Sequence, residues 1–308
     1  MNDETTVSPD APLDPQAVEL TSRPTRPFYW SVRRELWENR SIYLAPLAVA
    51  ALVLFATSIS LLGLARRLES FGELDPVARH AAVVKPFTLA PAPIMLATIL
   101  IGVFYALDAL YGERRDRSIL FWKSLPVSDL TTVLAKASIP LVVLPLLAFA
   151  LSVATFAALL FVGTAILLAS GTSPTVLWSE VRWLQEPMVM LYGLAVHALW
   201  FAPIYGWLLL VSAWARRMPV LWAALPPLAI GVVERVSAGS SHFASLLGYR
   251  VSGAMQEAFT VERGAALDRV YQLTPGKFLS SPGLWIGLAF AAAFLAAAVR
   301  LRRTREPI

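Results

Sequence analysis

Six stretches of this sequence are apolar over lengths near those that cross a bilayer: Ile42–Ala65, Pro91–Tyr111, Ile139–Ser170, Pro187–Ala215, Pro219–Val236 and Leu284–Val299. About twenty apolar residues at a helical rise of about 1.5 Å cover a hydrocarbon core of about 30 Å. In that core a helix satisfies its own backbone hydrogen bonds. Composition agrees: 15% of the residues are charged, against about 25% in a soluble domain, and the mean hydropathy is +0.61. A soluble enzyme is excluded. The expected fold is an all-α, polytopic membrane protein with six transmembrane helices.

Spans three and four exceed the minimum length, which allows tilt or an extension beyond the bilayer. Pro140 and Pro145 are expected to kink span three, because proline removes a backbone donor. In span five Pro226 and Pro227 are adjacent and are expected to kink it as well, and the sequence leaves open whether that helix is continuous, broken or re-entrant. Residues 1–26 are polar and proline-rich with little to bury, and read as a disordered tail. No apolar run follows a basic one within them, so no secretory signal is expected. Residues 27–40, PFYWSVRRELWENR, place Phe28, Tyr29, Val32 and Leu36 on one helical face and Arg34 and Glu38 opposite. With Trp30 and Trp37 at the flanks, an interfacial amphipathic helix is expected there, ahead of the six-span domain 41–308.

Six spans put both termini on one side. The segments assigned to that side carry sixteen of the 26 Lys and Arg residues, among them Arg33, Arg34, Arg114, Arg115, Arg117, Arg216, Arg217, Arg302 and Arg303. Basic residues are retained in the cytoplasm, so both termini are expected there. The same bias accounts for the net charge of +5 without any nucleic-acid partner.

Several chemistries are excluded at once. The chain has no cysteine, and His80, His197 and His242 are too far apart for a paired metal motif. No Ser/His or Asp/Asp set suggests an intramembrane enzyme. No GxxxxGK[ST] phosphate loop occurs. The Gly276–Lys277 pair has Tyr271 where the first glycine belongs and Phe278 where Ser or Thr belongs, so this chain has no P-loop for ATP.

The segment between spans two and three, YGERRDRSILFWKSLPVSDLTTVLAK from Tyr111 to Lys136, is dense in charge and then aromatic. Pro126 interrupts its first helix, and Ser128 or Asp129 can cap the next. Two readings of this helix–break–helix surface stand side by side: docking to a cytoplasmic protein partner, or rest on anionic lipid. The ERxxxS…LPVS…LxxxLAK arrangement of Glu113 to Lys136 resembles the permease subunits of ABC-2 type transporters. In those an acidic residue closes span two, a coupling helix follows, and a Leu-Pro-Val-Ser turn leads into span three. Here Arg-Asp-Arg-Ser stands where Ser-Gly-Thr is common.

The resemblance implies a transmembrane subunit of an exporter in a bacterial cytoplasmic membrane. It would have no enzymatic activity or cofactor of its own. Two copies of a separate ATPase would bind the ATP and Mg²⁺, and a second permease, expected to be an identical chain, would complete the pathway. The coupling residues it implies are Glu113, Arg114, Arg117, Ser118, Trp122, Pro126, Ser128 and Asp129.

The outer segment 237–283 is expected to hold an amphipathic helix over 258–273 and, by the resemblance, short or re-entrant helices. An external cap without a transport role is the other reading. Within the spans the ionisable candidates are few: Asp108, His197 and Glu234. Asp108 and Glu113 are expected to organise a cytoplasmic gate by pairing with Arg114 or Arg117, with interfacial snorkelling of Asp108 as the plainer account. His197 is expected to hydrogen-bond across a packed interface. Scarcity of intramembrane charge argues for a hydrophobic or amphiphilic cargo and against ion coupling. An ion-driven transporter and a non-transporting scaffold or sensor are the alternatives.

Overall fold

The computed structural model describes residues 26–64, 66, 76–124, 127–260 and 270–304. The tail of residues 1–25 and the turn residue Pro126 lie outside them. The described chain is almost wholly helical, with no strand and one isolated antiparallel bridge, Phe259 to Leu273.

The chain begins with α1 (Pro27–Glu38) and α2 (Ser41–Leu61). After α3 (Pro76–Leu89) comes α4 (Pro91–Asp108). Two short helices follow, α5 (Tyr111–Arg115) and α6 (Ile119–Lys123), and then α7 (Asp129–Ser138). A π-helical turn, Ile139–Val143, joins α7 to α8 (Leu144–Ala169). Beyond α9 (Thr175–Glu180), α10 (Gln185–Trp200) and α11 (Ala202–Trp214) form a bent pair. Next are α12 (Pro219–Ala238), α13 (His242–Ala258), α14 (Pro275–Ser280) and α15 (Pro282–Thr304).

Five helical runs are long and apolar enough to cross a membrane, and the α10–α11 pair, bent by 46°, makes a sixth if counted as one span. The chain is a multi-pass membrane protein. The run Asp129–Ala169 has 41 residues. At about 1.5 Å per residue it is roughly 60 Å long, twice the hydrocarbon thickness, so part of it stands outside the bilayer. The π turn sits where Pro140 would clash with the preceding turn. The Leu144 amide donates five residues back to the Ile139 carbonyl, which widens the helix by one residue and accommodates the ring.

The question left open for span five has its answer: α12 runs unbroken through Pro226 and Pro227, and the broken span is the fourth, where the helix stops at Phe201, just before Pro203. Proline alone does not break a helix when its freed carbonyls have room. Of the amphipathic helix expected over 258–273, residues 261–269 lie outside the described residues; at its two ends Phe259 and Leu273 form the isolated bridge and are not helical, and the preceding helix, α13, ends at Ala258.

The core is built in layers along the bundle. At one end Phe87, Ile94, Phe156, Leu159, Leu167 and Leu177 pack α3, α4, α8 and α9 together with α2. Toward the other end Ile42, Tyr105, Ile139, Tyr205 and Leu209 join α2, α4, the π turn and α11. Helices α11 and α15 approach closely: a Cβ on Gly206 would sit 3.3 Å from the Ala291 carbonyl oxygen. Small residues at such a crossing let the backbones make van der Waals contact, which drives helix association where the solvent is itself apolar. Helix α12 buries no residue at all.

Candidate functional site

Helix α1 turns an unexpected face inward. Its buried residues are Ser31 and Glu35, while Phe28, Tyr29, Trp30 and Trp37 are exposed. Glu35 is drawn in by partners on two other elements and by its neighbour Arg34. The Tyr105 hydroxyl on α4 donates to its Oε2 at 2.7 Å, and Lys136 Nζ on α7 donates to Oε1 at 2.9 Å. Arg34 Nη2 lies 2.7 Å from the same Oε1 and reaches Glu113 of α5 at 3.2 Å. The second carboxylate, Glu113, is also held by Lys136 at 3.2 Å and by Arg302 of α15 at 3.2 Å. Arg302 further pairs with Asp129 at the start of α7.

Three cations, Arg34, Lys136 and Arg302, thus face three carboxylates, Glu35, Glu113 and Asp129. Lys136 and Arg302 are 3% exposed and Glu35 1%, so neither sign has water to replace its partner. Burial alone would push the Glu35 carboxyl up; the Lys136 ammonium and the Arg34 guanidinium outweigh it and hold it below the usual range. For Arg34, burial favours loss of the proton, and the charges of Glu35 and Glu113 reverse that, so its pKa is raised. Glu38, half-buried on the same helix, is raised mainly by burial. The network borders a cleft of about 630 Å³ that Asp108 and Trp122 also line.

The structure therefore brings Glu113 and Asp129 into one cluster and keeps several other candidates apart. Asp108 is exposed and lies 3.5 Å from Arg115, so the expected pairing of Asp108 and Glu113 with Arg114 or Arg117 is corrected. Arg114 is buried and donates to the Ala213 carbonyl on α11. Beside it, the Ser212 hydroxyl accepts the Leu110 and Tyr111 amides at 3.0 and 2.9 Å, fastening the end of span two to α11. Arg117 is exposed and left-handed, with φ of 57°, at the corner between α5 and α6. Ser118 Oγ donates back to the Glu113 carbonyl at 3.4 Å. Ser128 caps α7, accepting the Thr131 amide at 3.0 Å.

Trp122 is turned inward: the Arg34 guanidinium lies 3.9 Å from its ring centroid. Its ring supports the network from below through a cation–π contact. The apolar side chains α6 presents to the surroundings are Leu120 and Phe121, both about 60% exposed.

Glu234 is a capping residue. It accepts from Ser240 Oγ at 2.6 Å and from the His242 and Phe243 amides at 2.7 and 2.8 Å, satisfying the start of α13. His197 stands one turn before the bend, with Nε2 3.4 Å from the Tyr205 hydroxyl across the break and its ring 4.9 Å from that of Phe201. Arg250 of α13 ties α10 to α15. It donates to the Trp200 carbonyl at 3.1 Å and the Gly283 carbonyl at 2.6 Å, and its guanidinium lies over the Trp200 ring. Burial holds its pKa below the ordinary value. Among the described residues no three His, Asp or Glu side chains gather in a way that could hold a metal ion.

Sequence reasoning misses Glu35, Tyr105 and Arg302. One signal is present: Glu35 and Ser31 are four apart, so they share one face of α1. No known family model matches the chain, and no curated protein or solved structure matches it.

Proposed function

We propose that this chain is the permease subunit of an ATP-driven exporter of the ABC-2 type, with both termini and the 111–136 segment in the cytoplasm of a bacterium. Two copies would form the pathway, and a separate ATPase, also present twice, would dock under the 111–136 segment of each. The cargo would be hydrophobic or amphiphilic. The reading starts from the Glu113–Lys136 motif, and one structural observation supports it: the buried ion cluster bolts that segment to the rest of the bundle. Glu113 and Asp129 flank α6, and their partners lie on α1, on the helical run into span three and on the last helix. A push on α6 would then move those helices as one body rather than bend a loop. Leu120 and Phe121 offer the apolar contact on which an ATPase would push.

The experiment is affinity purification of the tagged chain from native membranes, followed by reconstitution with whatever ATPase accompanies it. Leu120→Glu with Phe121→Ala should release the ATPase. Trp122→Ala should retain it but uncouple hydrolysis from transport. A preparation with no ATPase, or one in which both variants transport normally, overturns the proposal.

A further inference from the structure

Between α4, α8, α10 and α13 lies a cavity of about 330 Å³, the size of a small-ligand site. Its wall is mainly apolar and adaptable, with Met95, Phe156, Met190, Met255 and Phe259 among the lining side chains. Methionine fits irregular apolar shapes better than branched side chains do. Beside it a second recess, lined by Met95, Met190, His197 and Tyr205, shares three of its residues, so His197 stands where the two meet.

Two polar groups in this wall are left with unused capacity. Ser152 on α8 is 2% exposed, and its hydroxyl has no hydrogen-bond partner among the described residues. A helical serine normally returns its proton to the carbonyl four residues back, and a buried hydroxyl without a partner is destabilising, so such a group calls for an explanation. His197 uses Nε2 toward Tyr205, and its Nδ1 makes no hydrogen bond within the described residues.

We infer that this cavity is a binding site for a neutral amphiphile: an apolar body carrying one hydrogen-bonding group, such as a hydroxyl, that engages Ser152 Oγ and His197. No Lys or Arg lines either recess, so nothing in the wall would compensate an anionic head, and the carboxylate in the wall, Glu186, already has an interaction of its own and is not left free for a cationic one. The site is lined within a single chain. It does not depend on the ATP-driven reading, and its test uses this chain alone. The bilayer itself, as a neutral lipid, or a cargo molecule could supply the ligand.

Gly193 makes the test sharp. It lines the cavity, and a Cβ there would meet only Phe259, at 3.8 Å, an ordinary contact. Gly193→Leu therefore fills the space without a backbone clash and raises helix propensity. The purified full-length chain in nanodiscs is labelled with a diazirine derivative of 1-decanol, and the modified peptides are located by mass spectrometry. Labels are expected on α8 and α10, competed by 1-decanol and not by decane. They should be lost in Gly193→Leu and in Met190→Trp, which fills the cavity from another position. Ser152→Ala should weaken competition by decanol roughly three- to tenfold, as for loss of one neutral hydrogen bond. Helicity and elution volume check that the variants fold. Labelling unchanged by both filling variants, or decane competing as well as decanol, overturns the assignment. Lipid extraction separates the two sources. A neutral lipid retained by the natural chain and lost in Gly193→Leu places the ligand in the bilayer, and intact decanol labelling without such a lipid points to cargo.

Discussion

Replacing Lys136 with methionine tests whether the buried ion cluster is one cooperative unit. The substitution keeps the length and apolar stem of the side chain and removes only the ammonium. That group lies 2.9 Å from Glu35 and 3.2 Å from Glu113, with both lysine and Glu35 almost fully buried. A hydrogen bond to a charged group contributes about 1.5–3 kcal/mol, and removing one member of a buried pair destabilises by about 3–5 kcal/mol. Arg34 still touches both carboxylates, so the expected loss sits at the lower end, about 3 kcal/mol. Adding Glu35→Gln removes the stranded charge while leaving an oxygen to accept from Tyr105. The double variant should therefore be more stable than the sum of the two single losses by about 1–2 kcal/mol. Lys123→Met is the control. That ammonium is exposed and makes one 3.4 Å bond to the Arg303 carbonyl, so its loss should stay within about 0.5 kcal/mol. Reversible unfolding in bicelles reads all four chains. A loss below about 1 kcal/mol for Lys136→Met, or strict additivity in the double variant, would refute the argument that these charges depend on one another.

Acid should weaken the same cluster. The Glu35 carboxyl is held below its ordinary value of 4.5 in the folded chain, so its contribution is fully present above that pH and is lost as the pH falls through the lower folded value. Glu35→Gln should flatten the acid limb of a stability–pH profile, and an unchanged limb would remove Glu35 from the account. Gly206→Val should lower stability by about 1–3 kcal/mol and Gly206→Ala by less, because the new methyls press on the Ala291 backbone; thermal melts in detergent would decide. Glu234→Ala should leave the first amides of α13 without an acceptor, destabilise by about 1 kcal/mol and speed hydrogen exchange over residues 242–246. Arg117→Gly should not destabilise, since glycine accepts the positive φ that arginine tolerates poorly, whereas Arg117→Val should melt lower.

Much of the architecture is legible in the amino-acid sequence. Among the described residues each stretch identified as a span is mainly helical, the fourth as a bent pair, and the π turn falls at Pro140 in the stretch expected to kink. Ser128 caps α7 as its place ahead of the helix suggests. What fails is reasoning from one element about its neighbours. Pro226 and Pro227 leave the continuity of span five open in the sequence, and the break sits instead before Pro203, in the fourth span. Helical periodicity divides α1 into an aromatic face and a charged one, yet it does not say that Glu35 is buried. That residue goes in because Lys136, Tyr105 and Arg34 receive it.

By itself, then, the sequence determined that the chain is helical and which stretches are apolar enough to cross a membrane. In a bilayer every backbone group has to be satisfied within its own helix, and that requirement is local and readable along the chain. It also determined what this chain lacks, a phosphate loop and any cysteine chemistry. Only the tertiary structure decided which charges are buried together. Glu35, Glu113, Lys136 and Arg302 are separated by up to 267 positions in the chain, and a buried charge is tolerable only when opposite charges from other elements arrive at hydrogen-bonding distance. That meeting depends on how the helices pack, a property that no single segment carries.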